Sequence, residues 1–431
     1  MASVVFYFQV HQPFRLKRYT VFDNSPFYFD TEKNGQICRK VADKCYRPTT
    51  QLILDLVKRN KGRFKVSYAM TGVVLDQMQE FCPDVLDIFK RLADTGACEF
   101  VGESYYHSLS FLYSRQEFTE QVNAHTRRIE ELFGQTPKVF RNTELIYNND
   151  LGHFLSEMTT PDGKKRWMGA ICEGVDHILG YRSPNYVYRP PHTGNGPHGK
   201  PFGLLLKNYR LSDDIAFRFS NRGWAEWPLS AEKFATWVNQ INGDGYLCNL
   251  FMDYETFGEH QWAETGIFKF LDALPEKIFD VSPGHNHFNT PSEALTQFEP
   301  VGDYDVPHMI SWADTERDLT AWLGNAMQSN ALLETYKLER PVKDRYGAAI
   351  AAVKADPRNP AALKELEESG YLLGDWRKLT TSDHFYYMCT KYWADGDVHK
   401  YFSPYDSPYD SYINFMNVLD NVRTRATGVM V

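Results

Sequence analysis

Seven short apolar runs recur along the chain, separated by stretches with helical spacing, and no other feature restricts the fold as tightly. They cover residues 4–10, 64–70, 98–101, 138–141, 168–172, 204–211 and 247–252. Their β-compatible composition, bounded by Gly, Pro, Asn and Asp, predicts buried strands. Between them, Leu52, Leu56 and Val57 carry a helical period through residues 49–60, and Pro83 opens a helix stopped by Gly96. Ser114, followed three residues later by Glu117, predicts a capping box for a helix closed by Gly134, and Ser230 caps another that ends near Gly243. Such alternation predicts βα units around a parallel sheet. Residues 19–46 read as a long aromatic loop, residues 183–203 as an irregular insertion, and Pro291 as the start of a further helix. From Ala313 the pattern changes: Leu319, Trp322, Leu323 and Met327, then Leu363 and Leu366, then residues 385–392 and 412–422, are all helix-like. The expected organisation is α/β over residues 1–305, with a C-terminal helical region over 306–431.

The predicted strands hand over to polar chemistry. His11-Gln12-Pro13 ends the first, Gly102-Glu103 the third, Asn142-Thr143-Glu144 the fourth, Asp213-Asp214 the sixth and Asp253-Tyr254-Glu255 the seventh. In βα barrels active residues collect where strands end and loops begin, so these positions are site candidates. The stretch GYLCNLFMDYETFGEHQW, from Gly245 to Trp262, concentrates the signal. Strand alternation puts Phe251, Asp253 and Glu255 on one face and Met252 and Tyr254 on the other. Two acids on one face repel, and Phe257 and Trp262 are expected to desolvate them, which favours one protonated carboxyl near neutral pH. A general acid requires that state, although the same spacing also suits two acids on a solvated loop.

A net charge of −8 argues against a phosphate-backbone partner, because the only compact basic run, Lys164-Lys165-Arg166, sits in a turn. No nucleic acid is expected. The chain enters an apolar strand at once and carries no apolar stretch long enough to span a bilayer, so a cytoplasmic location without membrane contact is the expectation. Seven cysteines without a CxxC predict reduced thiols rather than a disulfide framework or a cysteine metal site. The aromatic content, with 26 Tyr and 9 Trp, suits sugar faces as well as ordinary packing.

The motif His11-Gln12-Pro13-Phe14-Arg15 resembles the N-terminal signature of glycoside hydrolase family 57. Later blocks follow in that family's order: residues 99–107, 140–147 and 250–262, then Thr290-Pro291-Ser292-Glu293. The block MDYETFGEH is most similar to the α-amylase-type branch, as are Trp312-Ala313-Asp314, Trp322-Leu323-Gly324-Asn325 and Ser382-Asp383-His384. This resemblance implies an irregular (β/α)7 barrel followed by helices, retaining chemistry on α-glucosidic bonds, an α-glucan or maltooligosaccharide substrate, and no metal or organic cofactor. By matching position it implies that Glu144 is the nucleophile and Asp253 the general acid/base. His11, Gln12, Glu103, His107, Asp213, Glu255, His260, Trp262, Trp312 and Asp383 are the implied substrate contacts.

Retaining cleavage needs one carboxylate to attack the anomeric carbon and one carboxylic acid to protonate the leaving oxygen, about 5–5.5 Å apart. An ionised Glu144 calls for a stabiliser, for which Asn142 on the same strand face and an imidazole or guanidinium from another strand are the candidates. His11 and His107 would hydrogen-bond sugar hydroxyls. Trp262 and Trp312 are candidate stacking platforms, whereas the helical spacing of Trp322 favours core packing. Transglycosylation competes on the same intermediate, since a sugar hydroxyl can replace water, and a non-catalytic glucan-binding protein is a further alternative. A metal-dependent deacetylase would need about three clustered His or Asp ligands, and the 13 His are scattered.

Overall fold

The computed structural model describes residues 2–391 and 403–428; Tyr392, the end of one predicted helical stretch, lies outside them. The chain forms two compact units. One comprises Met1–Gln12, Gly35–Tyr105 and Val122–Trp312, and the other Pro13–Asn34, Tyr106–Gln121 and Ala313–Val431.

The strands of the first unit are β1 (Ser3–Val10), β2 (Val66–Met70), β3 (Cys98–Phe100), β4 (Val139–Arg141), β5 (Gly169–Glu173), β6 (Val187–Tyr188), β7 (Gly203–Lys207), β8 (Leu247–Asp253) and β9 (His287–Phe288). They make two sheets, β3-β2-β1-β8 with β9 beside β1, and β4-β5-β7-β6. Every pairing is parallel except β6 with β7. The sheets meet at two seams. At one, Gly102 bridges Phe140, with Gly102 N–H to Val139 O at 2.9 Å and Arg141 N–H to Gly102 O at 2.8 Å. At the other, Asn208 N–H donates to Asn249 O at 2.9 Å and the Asn249 amide to Leu206 O at 2.8 Å. The result is an irregular (β/α)7 barrel, in which strands of only three residues at β3 and β4 leave a bridge where a longer pair would build a ladder.

Alternation along β1 sorts its side chains between two cores. Val4, Phe6, Phe8 and Val10 join the layer between sheet and helices, and Val5 and Tyr7 join the barrel interior with Ala69, Val139, Ile171, Leu205 and Phe251. In β8, Cys248, Leu250 and Met252 face the outer layer while Leu247 and Phe251 face inward. That polarity aims Asp253 at the mouth.

Three expectations are corrected here. The sixth strand ends at Lys207, because Asn208 caps a short helix, Tyr209–Asp213, by accepting from Leu211 N–H. The supposed aromatic loop contains a helix, Thr31–Val41, and a π-helical turn, Ala42–Tyr46. The insertion is partly ordered as β6, whose Val187 and Tyr188 pair with Leu205 and Leu204. A helix absent from the sequence reading, Gly72–Phe81, starts at Thr71, whose side chain accepts from Val74 N–H.

In the second unit, helices span Ala326–Lys337, Glu339–Ala355, Pro360–Leu379 and Pro408–Thr427. Trp322 and Trp376 are buried there, the latter donating to Thr335 O at 2.8 Å. The Ser114 box is only half formed. Ser114 Oγ accepts from Glu117 N–H, but the Glu117 carboxylate binds Arg377 at 2.8 Å and Lys343 at 2.7 Å. Two cations outcompete one neutral N–H for a buried carboxylate. No helix among the described residues is long and apolar enough to cross a membrane.

Candidate active site

Glu144 sits in a single 3₁₀ turn, Thr143–Leu145, directly after β4, with φ at 58°. A non-glycine residue in the left-handed region is strained and persists only where its surroundings hold it. Trp312 supplies that hold, donating from its indole Nε1 to Glu144 Oε2 at 2.7 Å and from its backbone N–H to Glu144 O at 3.2 Å. Asn142, expected to steady the carboxylate, instead donates its amide to Ile146 O at 3.0 Å and so closes the turn from below. The Trp312 indole is a donor to the carboxylate.

Asp253 ends β8 beside Gln9 of β1 and is half-buried. Its carboxyl is pushed up, first by burial and then by the Glu144 charge, against the opposing pull of His260, Arg141 and Lys207. The Glu144 charge therefore reaches Asp253. Phe257 packs in the outer layer edge-on to Phe8 at 5.7 Å, and Trp262 is 61% exposed.

Glu255 lies beyond the strand in the turn Tyr254–Thr256, where period-two alternation no longer applies. It is nonetheless buried, accepting from Tyr46 Oη at 2.5 Å, and burial followed by the Asp253 charge raises it to about 8, while hydrogen bonds from Tyr46 and Gln12 oppose the rise. Tyr46 is delivered by the π turn. Gly258 makes that approach feasible: at φ 114° its missing Cβ would stand 1.9 Å from Lys44 O.

Such a raised carboxyl has a testable consequence for stability. Well below pH 4.5, Glu255 is protonated folded and unfolded alike; as pH rises towards about 8 the unfolded chain ionises first and folding weakens. Glu255→Gln cannot ionise, so its stability should match the parent at pH 4 and exceed it by a few kcal/mol at pH 8. Denaturant unfolding across that range measures the gap; one that does not widen with pH would refute the assignment.

The remaining candidates divide between the units. His11 Nδ1 lies 3.0 Å from Thr71 Oγ1, and Gln12 supports Glu255 while its carbonyl accepts from Gln77 at 2.7 Å. Glu103 is fully buried and accepts from Gln9 Nε2 at 3.3 and 3.4 Å. Its backbone N–H donates to His125 Nδ1 at 3.4 Å, which leaves His125 Nε2 to donate to Met70 O at 2.8 Å. Burial lowers His260, while Asp253 and Glu259 oppose the drop. Asp213 pairs with Lys207 at 3.2 Å. His107 and Asp383 belong to the second unit, where the His107 carbonyl accepts from Ser382 N–H at 2.9 Å.

Sequence reasoning missed Tyr7, Gln9, Tyr46, Arg141 and Lys207. A signal existed for three of them: Gln9, Arg141 and Lys207 are polar or charged residues at the ends of otherwise apolar strands. Tyr7 donates to Gln9 Oε1 at 2.6 Å, and its phenol is raised well above its usual range by burial, against the opposing charge of Arg141. Among the described residues no three His, Cys, Asp or Glu side chains converge as a metal-binding group, and all seven cysteines are free.

A parallel βα barrel with Glu144 in a strained turn and a desolvated Asp253 at the C-terminal ends of its strands presents a candidate paired-carboxylate site. Residues 5–307 match glycosyl hydrolase family 57, and the chain belongs to that family. It is 41% identical over 424 residues, 96% of this chain and 83% of the other, to a Methanocaldococcus jannaschii protein described as "Putative alpha-amylase". The fold is similar to that of the family 57 branching enzyme of Pyrococcus horikoshii, with a TM-score of 0.60 and 16% identity, covering 93% of this chain and 87% of the other. It is also similar to the 4-alpha-glucanotransferase of Thermococcus litoralis, with a TM-score of 0.57 and 17% identity over 89% of this chain. The chain spans just over half, 56%, of that protein.

Proposed function

We propose that the chain is a retaining glycoside hydrolase that cleaves α-1,4-glucosidic bonds of starch- or glycogen-type glucans or maltooligosaccharides. Glu144 attacks the anomeric carbon, Asp253 protonates the departing oxygen, and Asp253 then takes a proton from the water that releases the glycosyl-enzyme. The observation that carries this reading is the contrast between the two carboxyls. Glu144 receives an N–H from Trp312, a contact that favours the anion, whereas burial and the Glu144 charge shift Asp253 towards its protonated form. The amylase description of the 41%-identical relative supports the choice of substrate. His11, His260 and the exposed ring of Trp262 are the wall against which sugar hydroxyls and faces would lie.

Transfer to a second sugar is the competing outcome, and Trp262, 61% exposed, is the aromatic side chain that would favour it by holding an acceptor. The product profile from maltoheptaose separates the two. Shorter sugars alone are expected; products longer than seven units would make the chain a glucanotransferase, and no turnover of any α-glucan would remove the hydrolase reading.

A further inference from the structure

Arg141 and Lys207 end neighbouring parts of one sheet and converge on one ring. The Arg141 guanidinium carbon lies 5.0 Å from the centroid of the Trp312 ring, and Lys207 Nζ 5.4 Å from it. Both side chains are buried, Arg141 completely. Lys207 has carboxylate partners, Asp213 at 3.2 Å and Glu173 at 3.7 Å. Arg141 differs: none of its three guanidinium nitrogens has a hydrogen-bond partner among the described residues. Burying a guanidinium without hydrogen bonds is expensive, and an apolar side chain of similar volume would serve packing better. Its charge therefore needs a use that packing does not supply.

The ring provides one. A cation over an aromatic face draws on its π density, which leaves the indole N–H more positive and a stronger donor. That N–H is the group bound to Glu144 Oε2 at 2.7 Å. We infer that Arg141 and Lys207 are positioning residues for Glu144, acting through the Trp312 indole to hold the carboxylate ionised and in place; this rests on Glu144 being the nucleophile. Trp312 is on this account a relay, its indole N–H committed to Glu144. Asp253 feels the charges of Glu144, Arg141, Lys207 and His260, and the Tyr7 phenol of β1 feels those of Arg141, Glu103, Asp253 and Glu144, so these groups share one electrostatic neighbourhood. Arg141 and Lys207 are cations of that neighbourhood that reach the Trp312 ring.

The test uses the full chain and two independent readouts. In ¹H–¹⁵N spectra without substrate, the Trp312 indole resonance should titrate with the Glu144 carboxyl, and the acidic limb of kcat/KM for maltoheptaose should follow it. Arg141→Met and Lys207→Met should each move both midpoints up by about one pH unit and lower kcat about tenfold on the acidic side, with KM little changed. Arg141→Lys should restore most of the loss, which also shows that the site tolerates substitution. In a Trp312→Phe background, which keeps a ring but removes the donor, Arg141→Met should have less than about a third of its effect alone. Full additivity there, or a loss of kcat with the indole titration unmoved, would overturn the relay. If the parent cleaves no glucan, the hydrolase reading fails, while the substrate-free titration still decides whether the cations act on Glu144.

Discussion

Glu144→Gln should abolish turnover, lowering kcat on an α-glucan on the order of 10⁴-fold or more, with substrate binding largely kept. The substitution preserves volume, and its side-chain oxygen can still accept the Trp312 N–H, so the strained turn after β4 has its anchor in the variant as in the parent. What disappears is the charge that attacks. A neutral amide does not displace a sugar oxygen, and no other carboxylate of the first unit is presented from this turn. Calorimetric titration with maltoheptaose separates the two quantities, because affinity should stay close to that of the parent. A folded variant with near-normal turnover would take Glu144 out of the mechanism.

Asp253→Asn should give a different signature, set by the leaving group. Proton transfer from a positioned acid contributes about 10²–10⁴-fold, but only when the departing oxygen needs the proton. Cleavage of a natural glucan should therefore fall by roughly that factor, while the first step on an α-glucosyl fluoride or an activated aryl glucoside is retained far better. The glycosyl-enzyme then lacks its base. Azide, which needs none, should rescue the second step and yield an α-glucosyl azide with retained configuration. Equal loss on both substrates, without azide rescue, would move the acid to Glu255, which burial and the Asp253 charge hold up to about 8.

Much of this site was legible in the order of residues because the physics that wrote it is local. The period-two pattern of β1 and β8 places Val5, Tyr7 and Phe251 inside and Phe6, Phe8 and Met252 outside, and it aims Asp253 at the mouth without any knowledge of neighbours. The same locality has limits. Strand alternation stops before Glu255, which lies in a 3₁₀ turn, yet the expected repulsion between the two acids is present, since the Asp253 charge raises the Glu255 carboxyl. Phe257 is close to the acid in sequence, and the turn returns it to the layer against Phe8. Asn142 was assigned to Glu144 because it is close in sequence, while its amide serves the turn.

The sequence by itself determined the βα alternation, the helical character of the last third and the placement of Glu144 and Asp253 at strand ends, since hydrophobic periodicity and turn chemistry act over a few residues. Only the tertiary structure decided what meets those carboxyls. Trp312 reaches Glu144 across 168 residues, Tyr46 reaches Glu255 across 209, and Arg141 and Lys207 come from separate strands to one ring. Such partnerships depend on sheet order and on the seams between two parallel sheets. A strand's own pattern specifies the face it presents, and the packing of the whole barrel specifies what stands opposite.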